Sequence, residues 1–361
     1  MAENYGMNPD RPVFPKPQVF LSCSTPVRMW LVSFCALLAI LQSAWTDSFR
    51  SLVLAVVSVI AAIITEMLFL YKSGKTSQIK DGSVVASALV FTLLLPNRIS
   101  PLYAILGIIF AIAIIKHCFG GLGSNWLNPA AGGWLFIRLS WPGAFEHALE
   151  GSTLSLLKDS LPGIGNPGGS PLEILKTGYT DLFSNNGLLE THLRPFLNRS
   201  IFSLFNAELP SSYLDLFMSN RPGIIADRGI LALLLGSVLI MAFRAGRARI
   251  PAVWLLVFVF FTRLAGGFPY GAQWWRGDIL FALCSGGTLA AAFFLACDPA
   301  TGAKSGWSVF GSAIAGGFFA WLFRYPGAEP YGAVISVIFI NALLPVIRSI
   351  EICRLQKRRA S

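Results

Sequence analysis

Apolar residues in this chain come in long, nearly uninterrupted runs, set apart by short polar stretches. Runs near 18 residues predict helices that cross a membrane. The pattern predicts ten: Met29–Ala44, Leu52–Tyr71, Val84–Leu95, Leu102–Ile115, Ala131–Trp141, Ile230–Phe243, Pro251–Leu264, Ile279–Ala296, Val309–Phe323 and Tyr331–Ile347. The third and fifth are too short to span alone, which fits half-helices that end in irregular chain. Between the fourth and fifth lies GGLGSNWLNPAA, Gly120 to Ala131, flanked by apolar sequence on both sides. Irregular backbone at membrane depth survives only when buried in protein or lining a polar cavity. Gly120, Gly121, Gly123, Asn125 and Asn128 are therefore candidate ligand-binding residues, with an ordinary Gly/Asn/Pro loop as the alternative.

The order of runs divides the chain. A polar segment 1–27 is followed by five spans in 28–141, a long segment 142–228, five more spans in 229–347, and a basic tail 348–361. An odd number of spans per half means that a structural repeat must be inverted across the membrane. Weak internal similarity agrees. DGSVVASALVFTLLLPN opens on Asp81 and ends at Pro96 and Asn97, while GDILFALCSGGTLAAAFFLACDPATG opens on Asp278 and ends at Asp298 and Pro299. The segment 142–228 exceeds a plain connector, and loops of that length usually carry function.

Composition places the chain among polytopic membrane proteins. It is 54% hydrophobic and 13% charged, with a mean hydropathy of +0.63. Lys and Arg fix an expected orientation. With the N-terminus inside, inner segments hold 16 of the 28 basic residues, and short outer loops hold only Arg50, Arg98, Arg276 and Arg324. Both termini are then cytoplasmic, the segment 142–228 is outside, and the first span is an uncleaved one. The net charge of +10 is mostly this bias, so a nucleic-acid partner is not expected. Six cysteines lie in helices or on the inner side, without CxxC spacing, and predict neither disulfides nor a metal site. Three histidines, none within a span, do not supply the facing pair that a membrane haem needs. Glu66, Arg138 and Arg263 are ionisable groups inside spans, and only Glu66 lacks a nearby end to snorkel to.

DGSVVASALVFTLLLPN, FGGLGSNWLNPA and SGGTLAAAFFLACDPATG, followed by INALLPVI, resemble the RnfD/NqrB family, closer to RnfD in length. SPLEILKTG, RPGIIADRGILALLLGSVLI and RIPAVWLL match as well, in the family's order. The resemblance implies an all-α polytopic fold of about ten helices in two inverted five-helix repeats, similar to that of urea transporters. It implies one component of an ion-translocating oxidoreductase in a bacterial inner membrane, relaying electrons between ferredoxin and NAD and coupling them to Na+ or H+. Partners would be the other Rnf subunits (A, B, C, E and G) and a flavin transferase. The implied cofactors are FMN, joined through its phosphate to a hydroxyl on the outer segment, and a non-covalent riboflavin.

The family's SGATPL motif aligns with PGGSPL, which puts Ser170 at the acceptor position beside Gly168, Gly169 and Pro171. Pro167 and Gly169 replace the family's Ser and Ala, and Ile164 stands where an Asp is usual. Asp227 and Arg228 stand where the family carries Glu and a hydroxyl residue. The glycine-rich breaks, with Asn125, Asn128 and Asp298, are the places for a second flavin. Two alternatives stay open: a solute channel of the same fold, and a protein without covalent flavin that serves as scaffold and ion path.

Overall fold

The computed structural model describes residues 24–46, 49–73, 80–121, 123, 125–149, 192–200, 203, 224–243, 248–268, 274–298, 301–302, 306–327 and 329–360. Among these the chain is helical, and its one strand-like pairing is an isolated antiparallel bridge between Pro96 and Ile224. Helices lie over the apolar runs. In order they are α1 (Thr25–Thr46), α2 (Arg50–Ser73), α3 (Ser83–Leu93), α4 (Pro101–Phe110) and α5 (Pro129–Ser140). Short α6 (Pro142–Leu149), α7 (Arg194–Ser200) and α8 (Ile225–Arg228) follow. Then come α9 (Ile230–Ala242), α10 (Arg249–Ala265), α11 (Ile279–Leu283), α12 (Thr288–Ala290), α13 (Gly306–Arg324) and α14 (Gly332–Ala360). The last helix continues through Pro345 into the basic tail.

Two helices widen before they end. α4 passes into a π-helical stretch, Ala111–His117, and α12 into another, Ala291–Leu295. Such wide turns are uncommon and concentrate at functional sites.

α2 buries mostly small and polar residues along one face and exposes large apolar ones along the other. On α2 the side chains of Leu54, Ser58, Ala62 and Glu66, four apart, point inward and are buried. Val53, Val56, Ile60, Ile64 and Leu68 form the opposite stripe, each more than half exposed. A soluble helix shows the reverse; small residues between helices and an apolar exterior are what packing in lipid requires. α1 and α2 are each long and apolar enough to cross a membrane. Close approach in the core follows from the same residues: a Cβ at Gly236 of α9 would sit 2.9 Å from the Cβ of Cys35 on α1.

The halves of the chain are stitched at several levels. α1 packs on α9, and α14 touches α5. The Ile225 amide donates to the Leu95 carbonyl at 2.9 Å, joining the end of α3 to the start of α8. Arg138 at the end of α5 pairs with Glu329 at 3.1 Å.

Candidate functional site

One cleft gathers Asn125, Asn128 and Asp298 from the features singled out above. α3 contributes Ser83, Ser87 and Val90, the end of the first π-helical stretch contributes Lys116, and the chain entering α5 contributes Asn125 and Asn128. Across from them stand Phe293 and Phe294 of the second π-helical stretch, then Cys297 and Asp298. Met29 and Val32 of α1 and Ile240 of α9 close an apolar wall.

Asn128 does two things. Its Oδ1 accepts from the amides of Ala130 and Ala131 at 3.0 and 3.3 Å, capping α5 just before Pro129. Asn-Pro at a helix start is a strong local signal, because the amide oxygen meets orphan N–H groups and proline needs none. Its Nδ2 donates to Asp298 Oδ2 at 3.1 Å, and Thr301 Oγ1 donates to the same oxygen at 3.0 Å. Residues 170 positions apart are thereby joined across the cleft. Asn125 is buried, and its Oδ1 meets no hydrogen-bond partner among the described residues. A buried acceptor without a donor is costly, and a ligand N–H would satisfy it.

The glycines of this break sit apart from the cleft wall. Gly120, Gly121 and Gly123 have φ of 104°, 90° and 95°, in the region that favours glycine. A Cβ at Gly121 or Gly123 would meet nothing within 4 Å. Their positive φ serves the direction of the chain, and no protein atom presses on the Cβ position at Gly121 or Gly123. Gly168, Gly169, Ser170 and Pro171 lie outside the described residues.

Beside the cleft lies a group of charges that the sequence does not pair. Glu66, 3% exposed, accepts from Lys116 Nζ at 2.7 Å through Oε1 and meets His117 Nε2 at 2.6 Å through Oε2. Lys116 also donates to Ser83 Oγ at 2.9 Å, and Ser83 donates to Asp81 Oδ1 at 2.7 Å. Asp81 thus opens α3, much as Asp278 caps α11 by accepting from the Phe281 amide at 3.0 Å. A signal for Glu66 did exist: a carboxylate in mid-span needs a partner, and Lys116 and His117 end the fourth run.

The second break, Cys284–Gly287 between α11 and α12, is closed by side chains. Gly286 and Gly287 have φ of 67° and 65°, and their amides donate to Asp227 at 3.1 and 2.8 Å. Arg324, from the end of α13, donates through Nη1 to the carbonyls of Ala282 and Ser285 at 2.8 and 2.9 Å and to Thr288 Oγ1 at 2.8 Å. Its Nη2 reaches Ser285 Oγ at 2.5 Å. Freed amides take a carboxylate and freed carbonyls take a guanidinium, which is how broken helices are tolerated in apolar surroundings.

The chain has relatives over nearly its whole length. It is 27% identical over 333 residues to the D component of the Na(+)-translocating ferredoxin:NAD(+) oxidoreductase complex of Acetobacterium woodii, covering 92% of this chain and 90% of that protein. It is 29% identical over 327 residues to the D component of the proton-translocating ferredoxin:NAD(+) oxidoreductase complex of Clostridium ljungdahlii, covering 88% of each. It is also 29% identical over 346 residues to the D component of the ion-translocating oxidoreductase complex of Alcanivorax borkumensis, covering 92% of each. The family described as NQR2, RnfD, RnfE matches residues 13–355, so the chain belongs to that family.

Proposed function

We propose that this chain is the RnfD component of an Rnf-type complex, an ion-translocating oxidoreductase that relays electrons between ferredoxin and NAD. Its ten spans form two inverted five-span repeats in a bacterial inner membrane, with both termini cytoplasmic. Supporting the repeat, Asp81 and Asp278 each stand at the start of a short helix that runs to an irregular end. One relative is named for Na+ and another for protons at nearly equal identity. The frame they share is therefore compatible with either ion, and the choice falls to side chains that differ between them.

The observation that carries the cofactor reading is the cleft, with an unsatisfied Asn125 Oδ1 among Asn128, Lys116 and Asp298. An isoalloxazine ring has a flat apolar body and a polar edge of alternating donors and acceptors. Phe293, Phe294 and Val90 suit the body, and Asn125, Asn128 and Lys116 suit the edge. A bound flavin supplies an acceptor of one or two electrons. The chain's own part is to orient the ring, exclude water and hold charge near its edge. A second flavin, FMN, is joined to Ser170 on the outer segment.

The test is a flavin count on the complex purified from its native membrane. Acid should release a non-covalent flavin, and SDS gels should show a fluorescent band for this chain that Ser170→Ala removes. Asn125→Leu should lower the releasable flavin severalfold while the fluorescent band stays. A dark wild-type band would support the scaffold alternative, which the departures at Ile164, Pro167 and Gly169 favour. A complex with neither flavin on this chain would point to a channel of the same fold.

A further inference from the structure

We propose that Glu66 and His117 form a proton path from the rim of the helix bundle into the cleft, with Lys116 as its terminal donor. The inference rests on the cleft holding a ligand that takes up protons when it is reduced, as a flavin does.

The geometry is that of a relay. Glu66 divides its two oxygens between two groups that can carry a proton, Lys116 Nζ at 2.7 Å and His117 Nε2 at 2.6 Å. Compensating the buried ammonium requires only one of those contacts. Consecutive residues diverge by about 100° around an α-helix. Here both reach one carboxylate, and the stretch that carries them is π-helical. The path has two ends. The His117 side chain is 13% exposed and stacks on Phe69 with ring centroids 4.8 Å apart. Lys116 lines the cleft and is steadied there by Ser83 Oγ.

Other charges nearby leave Lys116 as the donor. Asp81 at the start of α3 is tied to Ser83, and Asp298 on the opposite wall accepts from Asn128 and Thr301. α1 and α9 present only Met29, Val32 and Ile240 to the cleft. A carboxylate buried within a spanning helix is expensive, and such groups commonly belong to proton relays.

The proton balance is simple. As an iron–sulfur donor such as ferredoxin reduces the ligand, Lys116 Nζ gives it one proton and becomes a neutral amine. His117 Nε2 passes a proton to Glu66 Oε2; the carboxyl then turns about its Cγ–Cδ bond, exchanging its two oxygens, and that same proton passes to the neutral Lys116 amine. His117 is recharged from water at the rim. One proton crosses, the side chains end as they began, and they carry no electrons.

The test uses the assembled complex, reduced anaerobically in weak buffer with a pH indicator while flavin absorbance is followed. Glu66→Gln keeps a hydrogen-bonding amide beside Lys116 but cannot carry a proton. It should retain the wild-type content of acid-releasable flavin, while proton uptake on reduction slows by about a hundredfold or more, the scale of losing a positioned acid–base group. His117→Gln should slow uptake in the same direction. Wild-type uptake rates in a flavin-replete Glu66→Gln complex would overturn the relay and leave a structural ion pair. Should Glu66→Gln fail to assemble, an unchanged rate in His117→Gln overturns it equally. A wild-type complex that releases no flavin refutes the cleft reading and the relay with it, and is recognised before any variant is made.

Discussion

The two breaks in the helical chain begin alike and end differently. Gly120–Asn128 and Cys284–Gly287 both turn on glycines with positive φ, and both leave backbone and side-chain polar groups between half-helices. In the second, those groups are consumed: Asp227 takes two amides, and Arg324 takes two carbonyls and two hydroxyls. In the first, Asn128 caps α5 and reaches Asp298, while Asn125 keeps a buried acceptor without a partner among the described residues. A break that satisfies itself is a joint. A break that leaves a buried polar atom unmet beside a cleft is prepared for something else to meet it.

Removing the joint should give the largest effect. Arg324 is 7% exposed, and truncating it leaves the carbonyls of Ala282 and Ser285 without their charged donor. Breaking a buried charged network by deleting one partner costs about 3–5 kcal/mol. Arg324→Leu should lose most of its yield as monodisperse protein in detergent, or show a large fall in unfolding temperature. Arg324→Lys, which keeps a charge but not the planar fork, should recover part of it. An Arg324→Leu protein as stable as wild type would mean that the second break does not depend on its plug.

An intermediate effect is expected at the open break. Asn128→Ala removes an N-cap, worth about 1 kcal/mol, together with the link to Asp298. Stability should fall by that modest amount while ligand content falls much further. Measuring thermal unfolding and acid-releasable flavin on the same preparation separates the two. A variant that loses stability but keeps its flavin would make Asn128 a cap alone and weaken the contrast between the breaks.

How far the sequence reaches depends on the range of each interaction. The helices follow from composition within single runs, so their positions are legible. Asn128 is legible as well, because Asn-Pro before an apolar helix is a local signal. Asp298 joins it only through a contact across 170 positions, which no local pattern encodes. Arg324 is a similar case: in sequence it is one basic residue in a short outer loop, and only packing places it against Ser285 and Thr288. The need of Glu66 for a partner is legible, but the π-helical stretch leaves no trace in apolar periodicity, so the turning of both Lys116 and His117 onto it is not. For Gly121 and Gly123 the residue type was informative, and the structure adds a positive φ with no protein atom against the Cβ position.

That last point supplies the smallest and sharpest comparison. A Cβ at Gly286 would collide with the Pro330 carbonyl and come within 3.2 Å of Arg324 Nη1, whereas one at Gly121 would enter open space. Both positions carry a positive φ, so alanine at either bears a left-handed backbone penalty of about 1–2 kcal/mol. Only Gly286→Ala adds a steric clash against backbone and disturbs the plug. Gly121→Ala should therefore stay within that backbone penalty and keep its flavin, and Gly286→Ala should be clearly worse in unfolding temperature. Equal losses at the two sites would show that φ alone governs both. A Gly121→Ala protein that is stable yet empty of flavin would return Gly121 to the binding site, as its place in the sequence suggests.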